Sequence, residues 1–200
     1  MLLGMLVSLS VFAQKEPSAL SELAFGTGKI APTQLSIDVY PFLFLSSGGG
    51  GSIGVEFGNW QIGAIGFSTV PPEFIKTNFF RNAETVGIRR NSAAEIYASY
   101  YLRKDRKGIY AGMLGGPEWF VMEDKLSGQK QTIVKSYVVP RLGIRVFPFR
   151  ETFYADASFG YSFNISDTDT QTVGRSNYNA SSGGIIYFLQ VGARFNIARN

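Results

Sequence analysis

The closing segment of the chain constrains its fold more than any other. From Ile185 to Ile197, the residues Ile185, Tyr187, Leu189, Val191, Ala193, Phe195 and Ile197 share one face. Ile186, Phe188, Gln190, Gly192, Arg194 and Asn196 share the other. A period of two puts successive side chains on opposite sides of an extended backbone, whereas a helix would scatter these apolar residues around its circumference. The segment is a strand, apolar on one side only.

The same period recurs upstream. Phe153 to Ile165, Val134 to Val146, Ile109 to Val121, Ala94 to Arg103 and Leu35 to Leu43 each alternate an apolar face with a more polar one. Shorter strands are expected at Ser52 to Phe57 and Trp60 to Val70, the latter with Ile65 and Phe67 out of phase. The total is eight. Connections at Gly58-Asn59, Lys104 to Lys107 and Phe149-Arg150 are tight, while Pro71 to Asn91, Lys125 to Lys130 and Asp167 to Ser182 are longer and polar. Ser46 to Gly51, short and rich in glycine, joins the long-loop side. Short turns on one rim and longer loops on the other, with an even strand number, predict an all-β transmembrane antiparallel up-and-down β-barrel of eight strands. Pro41, Pro117 and Pro140 each remove a ladder donor and are expected at bulges or rims.

Composition narrows the chemistry. The 200 residues contain no cysteine and no histidine, which removes disulfides, thiol nucleophiles, imidazole bases and the common zinc sites. Charged residues make up only 17% and the net charge is +4, too small and too scattered for a nucleic-acid protein. No apolar run is long enough for a spanning helix. The length suits one domain.

Alternation alone does not say which face looks outward, since a soluble lipocalin-like barrel would be apolar inside. Three features favour lipid outside. The apolar face carries no charge, whereas the opposite face carries Asp38, Glu56, Glu95, Glu118 and Asp156 balanced by Arg103, Lys135, Arg141, Arg145 and Arg194. A closed interior needs that balance because an unpartnered buried ion costs several kcal/mol. Glycines 54, 112, 116, 143, 160 and 192 sit on the polar face, as a narrow eight-stranded interior requires. On the apolar face Trp60, Phe153 and Phe195 lie near the short-turn rim and Trp119, Phe163 and Tyr187 near the other, like interfacial girdles.

Residues 1–13, MLLGMLVSLSVFA, read as a secretory signal peptide with Val11 and Ala13 at the −3 and −1 positions. The basic residues that usually precede the apolar stretch are missing, and an upstream start codon would supply them. A buried N-terminal helix is the alternative, disfavoured by the abrupt Gln14-Lys15-Glu16-Pro17. Residues 14–33 then form a periplasmic lead-in and 34–200 the barrel, in the bacterial cell outer membrane.

Taken together, Gln34 to Ala198 resembles the small eight-stranded outer-membrane barrels, the OmpA membrane domain and OmpX, and more distantly OmpW. The last strand carries the most specific likeness: polar Gln190, then Gly192, then Phe195 and Ile197. The resemblance implies that these four are read by the barrel-assembly machinery during insertion. The chain departs from the pattern by running on to Asn200. An ordinary strand would match it cheaply.

Barrel enzymes of the lipid A deacylase, palmitoyltransferase and omptin kinds require histidine. A serine–lysine or paired-carboxylate mechanism stays formally open, but Glu95, Glu118 and Asp156 are better read as partners of Arg141, Arg145 and Arg194, so no catalysis and no cofactor or metal is expected. Phe42, Phe44, Phe67, Phe120, Met122, Ile186 and Phe188 are expected to converge at the extracellular mouth. They form either a dry plug or, less favoured, a narrow conduit or binding site for small hydrophobic molecules. Lys76, Arg81, Arg89 and Arg90 exceed Glu73 and Glu84 in the loop Pro71 to Asn91, so it either pairs with lipopolysaccharide phosphates or is simply solvated. The resulting expectation is a monomer with a filled, ion-paired lumen. Its role is structural, or in surface interaction with an unidentified ligand through its loops.

Overall fold

The structure is a computed structural model that describes residues 29–72, 80–81, 85–166, 171–180 and 183–197. The signal peptide and most of the lead-in fall outside them.

Eight strands close on themselves: β1 (Gln34–Val39), β2 (Gly49–Phe57), β3 (Trp60–Thr69), β5 (Val86–Tyr101), β6 (Gly108–Asp124), β7 (Lys130–Phe149), β8 (Phe153–Asn164) and β11 (Gly183–Asn196). Each pairs antiparallel with its chain neighbour, and β11 returns to β1, with Gln34 opposite Asn196 and Val39 opposite Val191. Closure leaves no sheet edge with unpaired backbone groups. The eight expected strands are all present. A separate three-stranded sheet sits at the long-loop end, with β10 (Ser176–Ala180) between β4 (Phe80–Arg81) and β9 (Gln171–Val173).

The faces divide as the alternation predicts. Ile37, Ile53, Ile62, Ile96, Met113, Leu142, Phe159 and Ile185 are exposed on the outside, while Ser36, Glu56, Tyr110, Arg145 and Asp156 are buried inside. Between the rims the outward positions are uncharged. The outward-facing Arg90, Glu123 and Lys130 come only at the long-loop ends of β5, β6 and β7. In β3 the apparent misphasing resolves: Gln61, Ile65 and Thr69 are buried in the lumen and Trp60 and Ile62 are exposed. Ile65 and Phe67 are apolar residues on the inner face, so the strand alternates regularly by geometry though not by polarity.

Several boundaries need correction. The first strand ends at Val39, and Pro41–Leu45 form a short helix, α1. Pro41 sits in its first turn, where a missing N–H costs nothing because that donor would have no helical partner. Arg89 and Arg90 belong to β5, at a register shift between Ile88 and Arg90, and not to a loop. Pro117 and Pro140 are neither at rims nor at bulges. The β5–β6 register runs from Ala93–Glu118 to Ile96–Gly115 with no pairing between, and β7–β8 runs from Val138–Phe163 to Arg141–Gly160 in the same way. Each proline opens a gap in one ladder because it has no N–H to give, while the register continues unchanged. Outside the second gap, Ala111, Pro140, Leu142, Phe159, Tyr161 and Ile185 line a shallow groove of about 440 Å³.

Candidate functional site

The lumen is layered. Nearest the short turns lies an ionic layer centred on Glu56 and Arg145, whose side chains are fully buried. Arg145 donates from Nη1 to Glu56 at 2.6 Å, from Nε to Asp156 at 3.2 Å and from Nη2 to Gln61 at 2.9 Å. Its guanidinium stacks over Tyr154, 4.0 Å from the ring centroid, and over Tyr101 at 4.8 Å. The Tyr110 hydroxyl donates to Asp156 at 2.6 Å, and Tyr101 donates to Gln61 at 2.9 Å. A planar fork meets several carboxylates and rings at once, which a lysine ammonium would not do.

The second cation on Glu56 is Arg106, which the sequence pattern placed in a tight turn. With a φ of 55° it turns back beneath the barrel. Its Nε reaches Glu56 at 3.0 Å, Nη1 the Gly58 carbonyl at 2.8 Å, and Nη2 the Pro32 carbonyl at 2.7 Å and Gln34 Oε1 at 2.8 Å. It is fully buried. Arg103, expected in the lumen, instead pairs at 2.7 Å with Asp105 within the turn, where both are partly exposed. Strand parity could not distinguish them, because a turn has no alternation. Exchanging Arg103 for Arg106 leaves the interior with Asp38, Glu56, Glu95, Glu118 and Asp156 against Arg106, Lys135, Arg141, Arg145 and Arg194. Five of each sign remain in the ionic layers, and buried Asp124 adds a further carboxylate at the tip of β6.

Arg194 stands 3.8 Å from Glu56, donates to the Glu151 and Asp105 carbonyls and lies over the Phe147 ring. Asp38 accepts from Ser52 at 2.7 Å. Higher up, Arg141 departs from the expected ion pairing. It donates to Ser99 at 3.2 Å and lies among the rings of Tyr97, Tyr110 and Phe188, at 5.6, 5.5 and 5.8 Å. Aromatic faces supply part of what a carboxylate would. Glu118 accepts from Asn91 at 2.7 Å and faces Lys135 across the ladder, while buried Glu95 lies opposite Ile65. The expected partnership of Glu95, Glu118 and Asp156 with Arg141, Arg145 and Arg194 therefore holds as a direct contact only for Asp156 with Arg145.

Above the ions the fill is apolar, in two clusters. Phe67, Ile186 and Phe188 pack with Leu43 against Tyr40, Ile65, Tyr97, Leu114 and Val139. Phe120 and Met122 join Val86, Ile88, Ile133, Tyr137 and Val173. Phe42 and Phe44 are not in the mouth. Each is 60% exposed on α1, because the chain turns at Tyr40 before either could enter the lumen. Val173 had no signal in the sequence, since it comes from a polar loop.

Of the expected assembly signal, Gln190 is buried in the lumen and Phe195 and Ile197 are exposed outside. Gly192 has a packing reason of its own, as a Cβ there would lie 2.4 Å from Asp38 Oδ1 and 2.6 Å from Tyr154. Among the described residues no three acidic side chains gather as metal ligands would.

An antiparallel barrel that is uncharged outside between its rims and filled with ions and aromatic rings inside belongs to the class of small eight-stranded transmembrane barrels. No family model matches the sequence, and a comparison with curated proteins returned no match. Among solved structures the chain is similar to the N-terminal β-barrel domain of Pseudomonas aeruginosa OprF. The identity is 14%, over 81% of this chain and 97% of that one, and the TM-score is 0.45.

Proposed function

We propose that the protein is a bacterial outer-membrane barrel whose interior is sealed, and that it serves the envelope structurally or through its long-side loops. One observation carries this reading: between the rims every strand presents uncharged, mostly apolar residues outward, while Glu56, Arg106, Arg145 and Asp156 are buried within. In water the arrangement would be inverted, because apolar surface is covered and ions are solvated. Glu56, Asp156, Arg106, Arg145 and Arg194 serve as one another's partners in the lower lumen, which favours a structural role over catalysis. Lipid and lipopolysaccharide are the partners that fit the belt and the basic rim of Arg90 and Lys130. The assembly machinery is the partner that fits the last strand. A surface ligand remains to be identified, nothing favours nucleic acid, and closure within one chain favours a monomer.

The test is electrophoretic and electrical. The folded protein should migrate differently before and after boiling in detergent, and should give no steady current in a planar bilayer. Solubility and compactness without any surfactant would overturn the membrane reading, and a steady conductance would overturn the seal. A second reading, a route or site for small apolar molecules, draws support from the two apolar clusters above the ions.

A further inference from the structure

The upper apolar cluster is completed by a residue that does not belong to the barrel wall. Val173, at the end of β9, is wholly buried against Val86, Ile88, Phe120, Met122, Ile133 and Tyr137. Beside its pairing in the small sheet, the segment that delivers it is held to the barrel by one carboxylate at the tip of β6. Asp124, also fully buried, accepts from the backbone N–H of Arg175 at 2.8 Å and from the Ser176 hydroxyl at 3.0 Å. Its remaining partners are its own loop, the Ser127 hydroxyl at 2.6 Å and the Leu126 N–H at 3.0 Å. Gly174 lets the two meet. Its φ is +61°, and a Cβ there would lie 2.5 Å from Asp124 Oδ2.

The grip and the plug are therefore separate. The grip is polar, local and centred on Asp124, whereas the plug is a single branched aliphatic side chain in an otherwise apolar chamber. A chamber of this lining, if vacated, offers water little beyond the Tyr137 hydroxyl and favours an apolar guest instead. Met122 and the edge-on ring pair of Phe120 and Tyr137 can adjust to a guest of different shape. We propose that residues 171–177 form an internal stopper, and that Val173 occupies a site which takes a small uncharged hydrocarbon when the Asp124 latch is released. This rests on the sealed-barrel reading, since an open lumen would need no stopper.

The chain lacks cysteine, so one introduced thiol reports the stopper without interference. In the full-length protein reconstituted in lipid vesicles, Val173→Cys should resist a water-soluble maleimide. Adding Asp124→Asn should speed labelling at least about tenfold, the equivalent of one lost charge-assisted hydrogen bond. Ser176→Ala, which removes one donor and leaves the carboxylate intact, should give a smaller increase and serves if the first variant fails to fold. In Asp124→Asn with Val173 intact, toluene should shift the methyl resonances of Met122 and Ile133 saturably. Outward Ile185 should respond only in proportion to toluene in the bilayer. Equal labelling rates with and without the latch would overturn the proposal, as would a released stopper with no saturable shift at Met122. Failure of the protein to insert into vesicles at all would instead count against the membrane reading, which keeps the two outcomes apart.

Discussion

At the residue scale, burial ranks the charges more reliably than their number does. Arg106 and Arg103 lie in the same turn, yet one is enclosed by Glu56, Gln34 and two carbonyls and the other shares a partly exposed pair with Asp105. Arg103→Ala should cost less than Arg106→Ala, because the side chains of its pair with Asp105 keep 18% and 14% of their exposure to solvent. Arg106→Ala should cost about 3–5 kcal/mol because it leaves a buried carboxylate short of a partner. Urea unfolding of the detergent-folded protein measures both, and equal costs would contradict the assignment. Asp124, beyond the apolar belt, is held well below the usual carboxylate range, first by the Ser127 hydroxyl and then by the Arg175 and Leu126 N–H groups. A depressed folded pKa contributes stability that is present above the unfolded value of 3.8 and lost as pH falls through the folded one. Protection of Val173→Cys, read against the labelling of the same thiol in unfolded protein at each pH, should therefore be the same at neutral pH and at about pH 4, and fail only in stronger acid.

At the scale of the element, each strand is shaped by what stands opposite it inside. Gly143 on β7 faces Tyr110 on β6, and a Cβ at Gly143 would fall 2.4 Å from the Tyr110 ring. That ring is wholly buried and hydrogen-bonded to Asp156, so it cannot yield freely. Gly143→Ala should destabilise the barrel by about 1–3 kcal/mol, the range for overpacking, whereas Ala111→Gly on the outer face of β6 should cost less. The comparison is read from unfolding midpoints in the same detergent. Strand interiors here carry notches for particular rings, and the prolines at 117 and 140 add gaps that the paired ladders around them tolerate.

At the scale of the whole molecule, closure joins interactions that no single hairpin could make. Glu56 on β2, Arg106 in the β5–β6 turn, Arg145 on β7 and Arg194 on β11 meet only when the ring is complete. Glu56→Gln should weaken all three contacts together, lowering the temperature at which the boiled and unboiled bands merge more than Arg103→Ala does. A shift no larger than that of Arg103→Ala would mean that the layer does not hold the ring.

The sequence by itself determined the strands, their number, their inner and outer faces and the near-neutral interior. A two-residue period and a charge-free face are local properties, visible without knowing what any strand touches. Only the tertiary structure decided which ions meet. Arg145 with Glu56, the return of Arg106 beneath the barrel, the aromatic bed of Arg141 and the entry of Val173 all depend on heights and angles around a closed ring. The misplacement of Phe42 and Phe44 has the same root. Alternation reports the side of a chain while it stays extended, and it is silent where the chain turns, because a turn has no period.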